Sequence, residues 1–261
     1  MQDKLKIAII QSELVWENPD RNRNNFANKI RQLNDSVDII VLPEMFTSGF
    51  TMTPDQVAET MQGKTIQWMR EIAKEKNAAI CGSIVINEED HYFNRFVFMQ
   101  PDGISKIYNK RHTFTLAGEH KVYKKGNEKV IIDYKGWKIC PMVCYDLRFP
   151  VWARNVEDYH LLIYVANWPK PRVAAWDALL KARAIENMSY CVGVNRVGLD
   201  NNNNEYSGHS AVYDGLGERL TNIADGKEQT AIVTLDMEHL ELIRRKLKFL
   251  DDRDHFNLLI E

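Results

Sequence analysis

The chain has little of what marks specialised architectures. It carries four cysteines in 261 residues, Cys81, Cys140, Cys144 and Cys191. That is too few for a disulfide scaffold, and none of them forms a Cys-x-x-Cys pair. No basic excess exists: 34 Lys and Arg face 36 Asp and Glu, a formal net charge of -2. Neither nucleic acid nor an anionic membrane surface is indicated as a partner. No apolar run approaches the roughly 20 residues needed to span a bilayer. No sequence repeats at a period of about 20–50 residues. The opening Met1-Gln-Asp-Lys-Leu-Lys lacks the pattern of a secretory leader, so reduced thiols and a cytoplasmic location are expected.

What is present is an ordinary globular mixture, 44% hydrophobic and 27% charged, which excludes intrinsic disorder. The length allows one large domain or two small ones. No segment has the composition of a linker. The most irregular stretch, Gly198 to Gly208 with Asn201 to Asn204 at its centre, reads as one exposed loop. A single domain over residues 1–261 is the expectation.

Strand and helix patterns alternate. Lys6 to Gln11 and the wholly apolar Val37 to Leu42 read as strands, the second covered on both faces. Pro19 to Leu33 and Thr65 to Lys76 have helical spacing. Strands follow at Ala79 to Ile86, Tyr92 to Gln100 and Ile104 to Tyr108, the last two joined by a Pro101-Asp102-Gly103 turn. In the second half, Val130 to Asp133 and Trp137 to Cys144 flank a Lys135-Gly136 turn. Leu161 to Ala166, Val192 to Val197, His209 to Asp214 and Thr230 to Leu235 are further strands. Val173 to Met188 and Met237 to Lys246 are helices. Such alternation predicts a layered α/β domain.

Three apolar strands run into polar residues: Glu44, then Cys144-Tyr145-Asp146, then Asn167-Trp168. Ligand sites in α/β proteins lie beyond the carboxyl ends of strands. Taken alone, Cys144 has a bland reading as apolar filler, and that reading is better still for Cys81, Cys140 and Cys191. A thiol at a strand-to-helix corner, however, presents its sulfur at a mouth, with backbone N–H groups beside it. A nucleophilic thiol needs a base. The seven histidines read as surface or loop residues. Glu44, in an apolar neighbourhood that would raise its pKa, has the character of a general base or of a buried ion pair. Lys110 by default is a solvated loop cation.

Leu42-Pro43-Glu44, Tyr108-Asn109-Lys110-Arg111-His112 and Val143-Cys144-Tyr145-Asp146-Leu147-Arg148-Phe149 resemble, in order and spacing, the three signatures of the nitrilase or carbon–nitrogen hydrolase superfamily. Pro43 to Phe50, Cys144 to Trp152, Tyr164 to Pro169 and Ala182 to Asn187 are especially similar to its bacterial omega-amidases. Val151 stands where many members of the broader superfamily carry Glu, a change that the resemblance assigns to this subgroup.

The resemblance implies an α-β-β-α sandwich that stacks into an α-β-β-α-α-β-β-α dimer, with the C-terminal segment, about 236–261, at the subunit contact. It implies hydrolysis of the terminal amide of small dicarboxylic acid monoamides, 2-oxoglutaramate giving 2-oxoglutarate and ammonia. No metal or organic cofactor is implied. Cys144 would attack the carbonyl, Glu44 would move the proton, and Lys110 with the Tyr145 N–H would stabilise the oxyanion. Lys110 would also lower the Cys144 pKa from about 8.5. Glu119, in Leu116-Ala-Gly-Glu-His120, matches a second glutamate that orients Lys110 or the substrate amide.

A substrate carboxylate calls for a cation. Arg148 and Arg172 are the candidates, Arg172 slightly preferred and Arg148 alternatively bridging Asp146. Phe46, Tyr145 and Trp168 are candidate walls. Arg183, Glu186 and Asn187, one helical face apart, read as a solvated face or a buried dimer network. The competing readings are another small-amide hydrolase or carbamoylase of the superfamily, and a catalytically idle binding protein of the same fold.

Overall fold

The computed structural model describes residues 2–259. In chain order the elements are β1 (Lys4–Gln11), α1 (Pro19–Arg31), β2 (Ile39–Val41), α2 (Lys64–Lys76), β3 (Ala79–Glu88), β4 (His91–Met99) and β5 (Ser105–Asn109). The second half continues with β6 (Ile132–Tyr134), β7 (Trp137–Val143), α3 (Pro150–Ala153), β8 (Leu161–Ala166), α4 (Val173–Glu186) and β9 (Tyr190–Asn195). After these come β10 (Val197–Leu199), β11 (Glu205–Ser207), β12 (Ala211–Tyr213), β13 (Gln229–Asp236) and α5 (Met237–Leu247).

Two sheets form the centre. The first runs β13-β1-β2-β3-β4-β5 and the second β12-β9-β8-β7-β6. Parallel pairing of β1, β2 and β3 in one sheet matches parallel pairing of β7, β8 and β9 in the other. Side-chain alternation along β1 explains the layering. Leu5, Ile7 and Ile9 enter the core shared with the second sheet, where Trp137, Ile139 and Leu161 lie. Ala8 and Ile10 point the other way and pack with Phe26 and Ile30 of α1 and Ile66, Met69 and Ile72 of α2.

Helix α4 covers the second sheet through Trp176, Leu180 and Ala184. Its approach depends on Gly193 of β9, where a Cβ would fall 2.3 Å from Leu180 Cδ1. The result is the expected α-β-β-α sandwich.

Helix limits follow local chemistry. Asn18 caps α1 by accepting from the Arg21 N–H, and Pro19 begins it. Asp236 caps α5 by accepting from Glu238 and His239. The stretch expected to be a featureless loop is instead a hairpin: β10 and β11 pair antiparallel. Asp200 holds its turn, accepting from the Asn202 and Asn204 backbones and from Asn204 Nδ2. The strand expected at Val130 to Asp133 forms two residues later.

Candidate active site

Glu44 follows β2, Lys110 follows β5, and Cys144 follows β7. The strand ends of the two facing sheets converge, so residues far apart in sequence meet. Lys110 is 1% exposed and Glu44 and Glu119 are fully buried. Lys110 Nζ donates to Glu44 Oε1 at 2.9 Å and to Glu119 Oε1 and Oε2 at 3.0 and 2.9 Å. Asn94 Nδ2 donates to the same Glu44 and Glu119 oxygens at 2.8 and 3.2 Å. The other Glu44 oxygen accepts from the Asn167 backbone N–H at 2.7 Å, and Asn167 Nδ2 reaches the Glu44 carbonyl at 2.7 Å. Thus the amide ending β8 fixes the carboxylate beyond β2.

Burial works against the Lys110 charge, but the Glu119 and Glu44 carboxylates outweigh it and raise its pKa. Burial also raises the Glu119 pKa, opposed by Lys110. Lys110 is therefore a locked ammonium, and the lone solvated cation of the default reading is excluded.

Cys144 begins a 3-10 turn, Cys144–Arg148, with φ of 45°. A left-handed conformation at a non-glycine costs about 1–3 kcal/mol, and surrounding bonds must hold it. Asp146, fully buried, supplies most of them. It accepts from the Val143 N–H at 3.0 Å, Tyr108 Oη at 2.8 Å and the His112 N–H and Nδ1 at 2.9 and 2.8 Å. One carboxylate thereby ties the thiol's corner to the Lys110 segment. His112 stacks on Phe149, with ring centroids 3.7 Å apart, so this partly exposed loop histidine belongs to the framework.

Arg183 braces the same turn from α4, donating to the Leu147 carbonyl at 2.6 Å and to Glu186 at 2.9 Å. The Arg183–Glu186–Asn187 set thus acts within the chain. The start of the 3-10 turn leaves N–H groups, that of Tyr145 among them, without a partner one turn back.

The thiol itself departs from expectation. Burial, then the Glu44 carboxylate, push the Cys144 pKa well above the ordinary thiol range; Lys110 opposes them and loses. One ammonium beside two carboxylates leaves the cluster net negative, which disfavours a third anion. Cys144 therefore rests as a neutral thiol, and attack requires proton transfer to a base. Far-ultraviolet thiolate absorbance, taken as the difference between the protein and its Cys144→Ala variant, should stay flat from mildly acidic to mildly alkaline pH. A step near neutrality would refute the neutral thiol. Cys81 and Cys191 are raised by burial as well, and Cys140 is pushed up to about 12, consistent with packing roles.

Above the thiol lies a cavity of about 220 Å³ lined by Lys110, Cys144, Tyr145, Arg148, Asn167, Trp168 and Arg172, with Phe50, Phe114, Asn204 and Tyr206 closing its sides. This is below the roughly 300–1,000 Å³ of drug-sized pockets and suits a small molecule. The Arg148 guanidinium lies 4.8 Å from the Trp168 ring centroid and that of Arg172 5.3 Å from Phe114. Neither makes a hydrogen bond or ion pair among the described residues. Arg148 does not bridge Asp146.

Phe46 is not a wall of this cavity. It is fully buried on the helix side of the first sheet, 5.6 Å from Phe26 and 5.8 Å from Trp68 between ring centroids. Gly82 admits it, since a Cβ there would lie 2.9 Å from the Phe46 ring. The turn at Met45, φ 41°, sends Phe46 away from Glu44, and Phe50 supplies the aromatic wall.

Asn94 and Asp146 were not legible as site residues. Asn94 sits inside a regular strand with no local cue. Asp146, two residues after the thiol and preceding no apolar run, offered only its proximity.

A model of the carbon-nitrogen hydrolase family matches residues 6–245. The chain is 45% identical over 255 residues to omega-amidase YafV of Escherichia coli (strain K12), covering 97% of this chain and 98% of that protein. It is 30% identical over 256 residues to 2-oxoglutaramate amidase of Bacillus subtilis (strain 168), covering 95% and 97%. Among solved structures it is similar to a CN-hydrolase superfamily protein from Xanthomonas campestris that carries an arsenic adduct in its active site. That match has a TM-score of 0.96 and 41% identity, and it covers 98% of this chain and all of the other.

Proposed function

The chain belongs to the carbon–nitrogen hydrolase family, and on that premise we propose that it is an omega-amidase that hydrolyses 2-oxoglutaramate and related dicarboxylic acid monoamides. One observation carries this reading. A single cavity holds a thiol backed by a buried lysine–carboxylate cluster together with two guanidiniums that have no carboxylate of their own. The amide end of the substrate faces Cys144, and its carboxylate faces Arg148 and Arg172.

As Cys144 Sγ bonds to the amide carbon, its proton passes to Glu44. The carbonyl electron pair moves to oxygen, where Lys110 and the Tyr145 N–H hold it. When the pair returns, the C–N bond breaks and Glu44 delivers its proton to departing ammonia. A thioester to Cys144 remains. Glu44 next takes a proton from water, whose oxygen attacks the thioester carbon; the thiol leaves with that proton, and the acid is released.

The molecule acts as a homodimer in the cytoplasm, where its four unpaired thiols stay reduced. The outer face of α4, with Ala174, Ala178 and Ile185 exposed, and exposed Phe256 and Leu258 of the C-terminal segment supply apolar surface for that contact.

Ammonia release from 2-oxoglutaramate, succinamate and an N-carbamoyl amino acid tests the function. Release from the first two, absent in Cys144→Ala, is expected. Release from the carbamoyl compound alone would make the protein a carbamoylase, and release from none would leave a binding protein. Arg172→Ala and Arg148→Ala should each raise KM for 2-oxoglutaramate by about tenfold or more while changing KM for an uncharged amide little, as loss of a charge-assisted contact worth about 1.5–3 kcal/mol requires. Equal effects on both substrates would remove the anchor role.

A further inference from the structure

In the resting site Lys110 Nζ lies within hydrogen-bonding distance of three carboxylate oxygens, one of Glu44 and both of Glu119. A tetrahedral oxyanion must compete with them for its N–H groups. For Lys110 to serve there, one of these bonds must be given up, and the bond to Glu44 weakens as soon as Glu44 is protonated by the thiol. At that moment something else must keep Glu44 in place, close beside a second carboxylate.

Asn94 is built for that task. Its Nδ2 spans the same two oxygens as Lys110, Glu44 Oε1 and Glu119 Oε1. The four atoms make a closed arrangement in which two donors bridge two acceptors. Asn94 is 1% exposed, and its Oδ1 is buried with no hydrogen-bond partner. A buried orphan acceptor is costly, about 1–3 kcal/mol. The amide is kept for its two donor hydrogens, since its oxygen makes no bond.

We propose that Asn94 is a positioning residue for the reaction: an uncharged donor that clamps Glu44 to Glu119 while Lys110 turns one N–H from Glu44 to the oxyanion. The division of labour follows from charge. Lys110 can move because the proton arriving on Glu44 cancels the charge that held it. Asn94 bonds a neutral or an ionised carboxyl, so it stays. The proposal rests on Glu44 acting as the base.

Other titratable groups face this cluster. Cys144 lies in front of it, and Tyr123 and Tyr206 flank it. Both tyrosines are buried, which raises their pKa, so they remain neutral through the working range. The groups with raised pKa values left facing the clamp are therefore Glu119 and Cys144.

Two variants and two assays test the clamp. Asn94→Asp is isosteric but places a third carboxylate against Glu44 and Glu119, which favours proton uptake. Asn94→Leu removes the donors at similar volume and forfeits no bond of the orphan oxygen. The first assay is the pH dependence of Cys144 alkylation by iodoacetamide, with Cys144→Ala subtracted; it needs no substrate turnover. The second is kcat and KM for ammonia release from 2-oxoglutaramate.

In Asn94→Asp the acidic limb of the alkylation profile should move to higher pH by about one unit or more, a tenfold slower reaction on that limb. In Asn94→Leu kcat should fall about tenfold or more with KM within about threefold. Asn94→Ser stands in if Asn94→Leu does not fold. Folded variants with an unmoved limb and unchanged kcat, whatever their melting temperature, would overturn the proposal. A moved limb in a protein that releases no ammonia from any amide would refute the amidase reading and leave the clamp standing.

Discussion

Cys144→Ala should lower ammonia release from 2-oxoglutaramate by at least about 10⁴-fold. Removing a covalent nucleophile has effects of that size or larger elsewhere, and among the described residues no other thiol and no serine or threonine hydroxyl lines the cavity. Cys144→Ser should be nearly as poor, because a hydroxyl gives up its proton to Glu44 far less readily than a thiol. Residual activity within about tenfold of the parent would show that the thiol is not the nucleophile.

The same position separates activity from stability. Cys144 is held at φ 45°, where glycine pays no steric cost. Cys144→Gly should thus be as inactive as Cys144→Ala yet melt higher than it, since relief of about 1–3 kcal/mol of strain exceeds the entropy lost on ordering glycine. A lower melting temperature for the glycine variant than for the alanine variant would mean that the elbow is not strained.

Lys110→Met is expected to damage both folding and catalysis. Glu44 and Glu119, fully buried, would face each other without the ammonium that bridges them. Breaking a buried ion pair by removing one partner costs about 3–5 kcal/mol. Loss of an oxyanion donor costs a further factor of about 10²–10³ in kcat.

The pH dependence has a definite sign. Without the lysine, which opposes the effect of burial, the folded-state pKa of Glu119 rises further above its unfolded value. Such groups stabilise the fold when protonated, and that contribution is lost as pH rises through the folded pKa. The melting temperature of Lys110→Met should therefore recover as pH falls from neutral toward the carboxylate range. Adding Glu119→Gln should restore much of the stability and none of the activity, since the second carboxylate is neutralised but the oxyanion donor is still missing. A Lys110→Met protein as stable as the parent at neutral pH would contradict the buried network.

Strand-end position brought out Glu44 and Cys144, and the family resemblance joined Lys110 to them as one set. Each follows a strand, and strands are legible because burial forces apolar runs such as Ile39-Ile40-Val41 and Ile139 to Val143, with the turn beyond them marked by polar residues. A layered α/β domain was legible for the same reason, helical and strand periods being local properties of the chain, and the family resemblance supplied the α-β-β-α order.

What depended on direction was not legible. Phe46 stands two residues from Glu44, but a left-handed turn at Met45 and the space above Gly82 take it to the opposite face. The Asn-rich stretch after Gly198 looked like solvent loop. Asp200 folds it into a hairpin that brings Asn204 and Tyr206 to the cavity.

The sequence by itself determined a layered α/β class and the strand-end location of the site, because periodicity and turn chemistry act over a few residues, while the set Glu44, Lys110 and Cys144 came from the family resemblance. Only the tertiary structure decided the surroundings of the thiol, the contacts of Asn94 with both glutamates and the freedom of the two arginines. Those rest on which charges lie within hydrogen-bonding reach, and the partners are 50 residues apart for Asn94 and Glu44 and 66 for Lys110 and Glu44. Burial and the Glu44 carboxylate together outweigh Lys110 at Cys144, and that balance exists only in the folded chain.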